Sequence, residues 1–371
     1  MKRRKFLTIA GSSLVVAGAG YYLLSDKSNF IRGDDTHKEP TKIPLKPDER
    51  TILRLASLAP SGHNTQPWLV KYLEPFHWII GNDKTRWLPA VDPNQRETIL
   101  SIGAFLQNLE YAAGNLGYHC EMTLLAATNQ ADDIVDVVLT KTGSRAFFDT
   151  QQIEHRRTIR SSYLGDVLKK EDLDYLIGEE GGSIHYLPNT SKEHQWLNEQ
   201  TIEANRLQCY RDAAQNELAD WIRFSSKDAA KHADGLTLAS MEIEGITAWY
   251  LRNFSGTKDV LKNSFREQSI DKVVKQVSRS AGWLLITSKD ESLMTLLETG
   301  KRLQRLWLKI RDKNIAIHPM TQIIEEPSTN QLLHSSIGVS EPIQFILRTG
   351  YLKDYPAPVS LRRSVEKFVT I

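Results

Sequence analysis

The chain has 371 residues, 47 basic against 45 acidic side chains, a net charge of +2 and 40% hydrophobic residues, which suits a globular protein of two domains or one large fused one. So even a charge argues against a nucleic-acid binder, which would carry a basic stripe. Two cysteines, Cys120 and Cys209, exclude a disulfide framework and lack metal-ligand spacing; they could pair, but they read as buried small hydrophobes.

Lys2-Arg3-Arg4-Lys5 opens the chain, and no charge follows from Phe6 to Leu24. A cationic start before an apolar run is an export signal. The paired arginines ahead of x-Phe-Leu resemble the twin-arginine signal, although Lys2 and Thr8 depart from its usual residues. That resemblance implies the Tat (twin-arginine) translocase as a partner and a periplasmic or cell-envelope location. Residues 1–24 are therefore expected to be a signal or, if uncleaved, an anchor, since about 20 apolar residues can span a bilayer. Gly18-Ala19-Gly20 imitates a dinucleotide fingerprint but lacks the preceding strand and third glycine. Residues 25–48, with Pro40, Pro44, Pro47 and mixed charges, read as a flexible linker, so the fold should begin near Pro47.

From Glu49 to Leu58, Ile52, Leu53, Leu55 and Ala56 fall at helical spacing. The next ten residues, Ala59-Pro60-Ser61-Gly62-His63-Asn64-Thr65-Gln66-Pro67-Trp68, combine two prolines with Ser61, Asn64 and Gln66. Such a loop is either an ordinary polar turn before a strand or a stiff set of donors and acceptors suited to the edge of a heteroaromatic ring. Val70–Leu73 and Trp78–Ile80 read as strands around Glu74-Pro75, and 86–97 as a long connection. Gly103 to Gly117 carries a wide apolar stripe and predicts a buried helix ended by Gly117. Cys120–Ala126 and Ile134–Leu139 are strand candidates.

Glu154-His155-Arg156-Arg157-Thr158-Ile159-Arg160 places three arginines around a hydroxyl. This is a solvated basic turn or a phosphate grip, since the guanidinium fork matches phosphate oxygens. Thr190 to Arg223 predicts a long helix opened by a capping box of Thr190 and Glu193; the elements of 225–276 do not resolve by pattern. Trp283–Thr287 is a strand, and a helix starting at Gly300 buries Leu303, Leu306, Trp307 and Ile310. Gly, Leu, Gln and Leu recur at matching offsets in Gly103–Leu109 and Gly300–Leu306, each time after a strand opened by Trp, which indicates an internal repeat. His318 is a core histidine or a site residue. Pro342–Arg348 is a closing strand followed by Thr349-Gly350-Tyr351, and Arg362-Arg363 is a solvated pair or a further phosphate contact.

The Pro-Ser-x-x-Asn-x-Gln-Pro-Trp loop resembles that of the FMN-dependent nitroreductase superfamily, and most closely its fused two-repeat, Acg-like branch. The Arg-Arg-Thr-x-Arg segment, His318-Pro319-Met320 and the terminal arginine pair are similar to the same branch. The resemblance implies an α+β fold: two tandem nitroreductase-like repeats, 49–150 and 151–371, forming a pseudo-dimer of mainly antiparallel sheets flanked by helices, and acting as a monomer. It implies one FMN between the halves, with Ser61, Asn64 and Gln66 at the ring or ribityl chain and Arg156, Thr158, Arg160, Arg362 and Arg363 at the phosphate. Chemistry would then belong to the flavin, passing electrons from NAD(P)H or another donor to a nitro, quinone or similar small-molecule acceptor. No protein nucleophile or metal motif is recognisable. A flavin-holding protein without turnover is the alternative.

Overall fold

The computed structural model describes residues 25–26, 29–33, 43–144, 147–161 and 163–371. The expected export signal and parts of the linker lie outside the described residues. Helix α1 (Pro47–Ala56) starts with proline at its first position, where a missing N–H costs nothing. A loop leads to the hairpin β1 (Trp68–Glu74) and β2 (His77–Asn82), then α2 (Arg96–Asn115), β3 (Tyr118–Leu124) and β4 (Asp133–Lys141). The short helices α3 (Thr150–His155) and α4 (Lys170–Ile177) precede β5 (Ile184–Pro188). A helical insertion follows: α5 (Lys192–Tyr210), α6 (Asp212–Trp221), α7 (Ser226–His232), α8 (Gly245–Phe254), α9 (Thr257–Val260) and α10 (Asn263–Val277). Within it β6 (Ile222–Arg223) pairs parallel with β7 (Leu236–Thr237). The chain continues as β8 (Gly282–Thr287), α11 (Leu293–Lys309), β9 (Ile315–Pro319), α12 (Gln322–Glu325), α13 (Pro327–Ile337), β10 (Ile343–Tyr351) and β11 (Val369–Thr370).

The fold is α+β. One sheet runs β11-β1-β2-β4-β3 and the other β5-β8-β10-β9. Leaving β11 aside, both sheets are antiparallel throughout and share one strand order, first-second-fourth-third, with a long helix between second and third strands. The turn between β1 and β2 is Pro75-Phe76, whereas β5 and β8 are separated by the six-helix insertion. The C-terminus crosses back: Val369 pairs parallel with Val70, so the last residues extend the sheet of the first half.

One hydrophobic core runs through both halves, from Trp68 and Phe105 to Leu306, Trp307, Leu347 and Phe368. At its centre α2 and α11 cross glycine on glycine. A Cβ on Gly103 would lie 2.1 Å from the Leu297 carbonyl oxygen, and one on Gly300 would lie 2.0 Å from that of Leu100. Gln304 Nε2 donates to Asn108 Oδ1 (2.8 Å) and Arg305 to Gln107 Oε1 (2.9 Å) across the same contact.

Both glycines are therefore mid-helix, not helix starts as their punctuating character suggests. The first helix begins at Arg96 because the Asp92 carboxylate caps the amides of Glu97 (3.1 Å) and Thr98 (3.0 Å), which shortens the expected 86–97 connection. The expected helix over 190–223 is two helices, broken at Arg211 (φ −88°, ψ 104°), and its cap is Ser191, whose Oγ accepts from the His194 amide (3.1 Å). Thr349-Gly350-Tyr351 belongs to β10 and pairs with β9, so the closing strand runs on through Tyr351. The region left open, 225–276, packs with the residues just before it on a small core of Ile222, Phe224, Leu238 and Val260. The described linker residues are docked: Asp26 accepts from the Ser226 amide (2.7 Å), and Arg32 Nε donates to the Ser360 carbonyl (3.0 Å).

Candidate functional site

The loop between α1 and β1 holds three non-glycine residues in the left-handed region, His63 (φ 46°), Asn64 (φ 56°) and Gln66 (φ 56°). Such backbone costs on the order of 1–2 kcal/mol per residue and persists only when surroundings over-determine it. They do. Ser61 Oγ accepts from the Gln66 amide (2.9 Å). Asn64 Nδ2 donates to the carbonyls of Gly235 (3.1 Å) and Leu361 (3.2 Å), and its Oδ1 accepts from Arg362 (2.8 Å). Gln66 Nε2 donates to the Ala233 carbonyl (3.0 Å), and its Oε1 accepts from the Arg363 amide (2.9 Å). The loop is clamped between the turn at 233–235 and the segment 361–363.

The turn is itself anchored by Asp234, which receives Arg223 on one oxygen (3.0 and 2.8 Å) and Arg86 on the other (2.8 Å) with its side chain almost fully buried. Removing one member of such a network leaves buried cations unpaired. Asp234→Ala is expected to lose about 3–5 kcal/mol of stability in urea unfolding.

Beside the loop lies a cavity of about 300 Å³. Its walls come from both halves: Ser61, His63 and Asn64 of the loop; Glu97, Ser101 and Ala104 of α2; Arg156, Thr158 and Arg160; Leu303 and Trp307 of α11; His318 of β9; Thr321, Gln322 and Glu325 at and in α12; and Arg362. The insertion adds Gln208, Leu236 and Ser240. Of the residues expected from sequence, Ser61, Asn64, Arg156, Thr158, Arg160 and Arg362 meet here. Gln66 and Arg363 do not line it. Gln66 is fully buried, and the Arg363 guanidinium is spent on the carbonyls of Gln66 (2.6 Å) and Trp68 (3.0 Å). Both hold the loop in shape.

One end of the cavity is cationic. Arg156 donates to the Leu58 carbonyl (3.0 Å) and stacks over Trp307, 4.8 Å from the ring centroid. Arg362 donates to Ala59 (3.0 Å) and Leu58 (3.3 Å) carbonyls; Arg160, which donates to Ser240 (2.8 Å), stands close enough to His63 and His318 to lower both. Nε of Arg156 and of Arg362 is buried without a partner. Among the described residues, neither arginine forms an ion pair. Burial and the neighbouring Arg32 push Arg156 down to about 9, and burial with Arg32 and Arg156 lowers Arg362. Buried, mutually repelling cations with free donors are a site for an anion. Arg32, whose guanidinium donates to the Glu154 carbonyl (2.8 Å), stands behind them. Sequence reading missed it because it lies in a stretch that reads as linker.

The other end is neutral and acidic. Burial and Arg160 push His63 down to about 4, and burial with Arg160, Arg348 and Lys272 lowers His318, so both imidazoles are uncharged at neutral pH with an unpartnered Nδ1. Thr321 Oγ1 lies 3.2 Å from Glu97 Oε1 and 2.8 Å from Glu325 Oε1. Burial and then Glu325 push Glu97 up to about 8, against the opposing pull of Arg96. A carboxyl whose folded pKa is raised binds a proton that the unfolded chain has released, so stability falls as pH rises from 4.5 to about 8. Glu97→Gln should flatten that decline, an effect on the order of a few kcal/mol across the window; urea titrations at the two ends of it provide the measurement. No sequence signal marked Glu97, since an acidic residue in the first turn of a helix is ordinarily exposed.

The site is a partly open pocket of mixed polar and apolar lining with buried arginines in its wall, built where two similar sheet-and-helix halves meet. Among the described residues there is no His/Cys/Asp/Glu cluster able to hold a metal ion. No helix there is long and apolar enough to cross a membrane. Burial pushes the Cys120 and Cys209 thiols up to about 12 and 11, which leaves them poor nucleophiles.

No family model matches the chain. A Serratia sp. protein, PigM, provisionally named an NAD(P)H nitroreductase, is 23% identical over 344 residues, covering 86% of this chain and 92% of that protein. Acg of Mycobacterium tuberculosis, also provisionally named an NAD(P)H nitroreductase, is 23% identical over 330 residues, covering 86% and 94%. Among solved structures, a protein of Anabaena variabilis provisionally named a nitroreductase overlaps 88% of this chain and 92% of its own at 11% identity, with a TM-score of 0.38. An overlap that loose adds nothing to the fold assignment, which rests on the strand order and core described above.

Proposed function

We propose that this chain is an FMN-dependent oxidoreductase of the nitroreductase type, a fused tandem duplication that keeps one flavin site at the junction of its halves. The observation that carries the reading is the pair of buried guanidiniums, Arg156 and Arg362, which line a cavity walled by both halves and form no ion pair among the described residues. These residues fit a phosphate. Arg156, Arg160 and Arg362 would hold it with Thr158 as a hydroxyl donor, and the neutral His63 and His318 would meet uncharged polar edges of the ring. The bound flavin would supply hydride transfer from a nicotinamide to a nitro, quinone or similar small-molecule acceptor. The protein's part is to bind, to orient and to exclude water. The shared strand order and the glycine-on-glycine helix pair support the duplication, and the two nitroreductase-named relatives that span most of the chain support the activity.

We also propose export by the twin-arginine route, which carries folded proteins with their cofactors. This rests on Arg3-Arg4 and the uncharged run to Leu24. A second reading, a flavin-holding protein without turnover, is favoured by the insertion, which places Leu236 and Ser240 over the cavity. The visible spectrum of the purified full chain tests flavin binding; a colourless protein overturns both readings. Anaerobic addition of NAD(P)H followed by a nitroaromatic separates them. Bleaching and then recovery with acceptor is expected for the oxidoreductase, and an unchanged spectrum would leave only the holding protein.

A further inference from the structure

Arg32 joins the two stretches of chain that carry Arg156 and Arg362. Its Nη1 donates to the Glu154 carbonyl (2.8 Å), two residues before Arg156, and its Nε to the Ser360 carbonyl (3.0 Å), two residues before Arg362. Its own amide donates to the Val359 carbonyl (3.3 Å). Both stretches need such support. Glu154 lies in the last turn of α3, a six-residue helix whose final carbonyls have no partner within it. Residues 352–364 form neither helix nor strand, so the place of Arg362 is set by side chains that reach across to this stretch. Asn64 bonds Leu361 and Gln66 bonds Arg363, while Arg32 holds the two residues ahead of them. Arg157 also links the two stretches, but at Ala357, farther from Arg362.

Arg32 adds a third positive charge as well. Among the described residues it forms no ion pair, and the Glu154 carboxylate bonds Arg54 instead (2.7 Å). Burial first, and Arg32 after it, push Arg156 down to about 9 and lower Arg362. Three guanidiniums brought together repel one another, and an anion in the cavity would relieve all three.

We propose that Arg32 is a positioning residue of the cavity's cationic end, so that docking of residues 29–33 and binding of a phosphate monoester reinforce each other. The proposal deepens the reading of Arg156 and Arg362 as a phosphate grip and rests on it. Arg32 is not in the cavity wall. It acts by fixing one stretch against the other, so that both guanidinium forks meet the same phosphate, and by adding its charge behind them. Linkage makes the effect reciprocal: the factor that docked Arg32 adds to phosphate affinity is the factor that bound phosphate adds to the docking. The stretch that reads as a linker is then part of the binding site.

The test titrates the flavin-free full chain with FMN and with riboflavin, which has the same ring and ribityl chain but no phosphate, and follows flavin fluorescence. Arg32→Ala is expected to bind FMN about tenfold or more weakly, within the usual span of coupling between sites, with riboflavin affinity unchanged. Arg32→Lys keeps the charge but cannot fork to two carbonyls, so it should regain only part of the loss. In the wild-type chain FMN should slow amide hydrogen exchange across 29–33 several-fold, and riboflavin should not. The exchange measurement needs no variant, so it decides the matter if Arg32→Ala does not fold. Equal losses of FMN and riboflavin affinity overturn the proposal, since Arg32 would then only stabilise the fold. Unchanged FMN affinity in Arg32→Ala, full rescue by lysine, or exchange at 29–33 that FMN leaves unaltered each overturns it too. A wild-type chain that binds riboflavin as tightly as FMN removes the phosphate grip and this proposal together but leaves a flavin protein. A chain that binds neither removes the flavin reading as well.

Discussion

An Arg156→Ala, Arg160→Ala double variant is expected to purify folded and colourless, while the wild-type chain is yellow. Each charge-assisted hydrogen bond to a buried anion is worth roughly 1.5–3 kcal/mol, so losing two should weaken flavin binding by about 10²–10⁴-fold. Arg156 also donates to the Leu58 carbonyl, and Arg160 to that of Ser240, so some loss of stability accompanies the change. Two controls separate the effects. Arg157→Ala should keep its flavin, because Arg157 lies outside the cavity wall and bonds the Ala357 carbonyl (2.6 Å). Arg156→Lys should bind weakly, since it keeps the charge but loses the planar fork. Flavin retained by the double variant, measured by absorbance after gel filtration, would refute the phosphate assignment.

The second large effect is expected at the crossing of α2 and α11. Alanine at Gly103 or Gly300 puts a methyl carbon about 2 Å from a backbone carbonyl oxygen of the other helix, and neither oxygen can move without moving its helix. Overpacking a tight core costs typically about 1–3 kcal/mol and more when backbone must shift. Each single variant should lose at least about 3 kcal/mol in urea unfolding, and the double variant less than the sum, because one displacement relieves both clashes. Gly256 is the control. It has nothing within 4 Å of an added Cβ and an ordinary extended backbone (φ −152°), so Gly256→Ala should stay within about 0.5 kcal/mol. A small effect at Gly300 would mean that the two helices are not in contact at that point.

Several features of the fold are legible in the residues. The apolar stripes of α2 and α11, the β-branched run of β4, the apolar run of β8 and the hairpin around Pro75 all follow from local sequence pattern, which survives in any tertiary context. Local patterns misread the glycines. A glycine in a helix suggests a boundary, and only the partner helix shows that its missing side chain makes room for another backbone. The segment 225–276 resisted reading for a related reason: α7 to α9 are short and separated by irregular chain, and the core they pack on, Ile222, Phe224, Leu238 and Val260, has no single period.

What the chain determined by itself is the inventory of the candidate site: a stiff loop of amides and hydroxyls, three arginines around a threonine, and a terminal arginine pair. These are short segments whose chemistry depends on residue type alone. Only the tertiary structure decided which members face the cavity. Gln66 and Arg363 bond each other's backbone and do not line it, whereas Arg156 and Arg362 line it without an ion pair among the described residues. The protonation of Glu97 and the neutrality of His63 and His318 were likewise decided there, because both depend on burial and on charges brought near by folding. Hydrogen-bond capacity is a property of a residue, but whether it remains available for a ligand depends on what the fold has already paired with it.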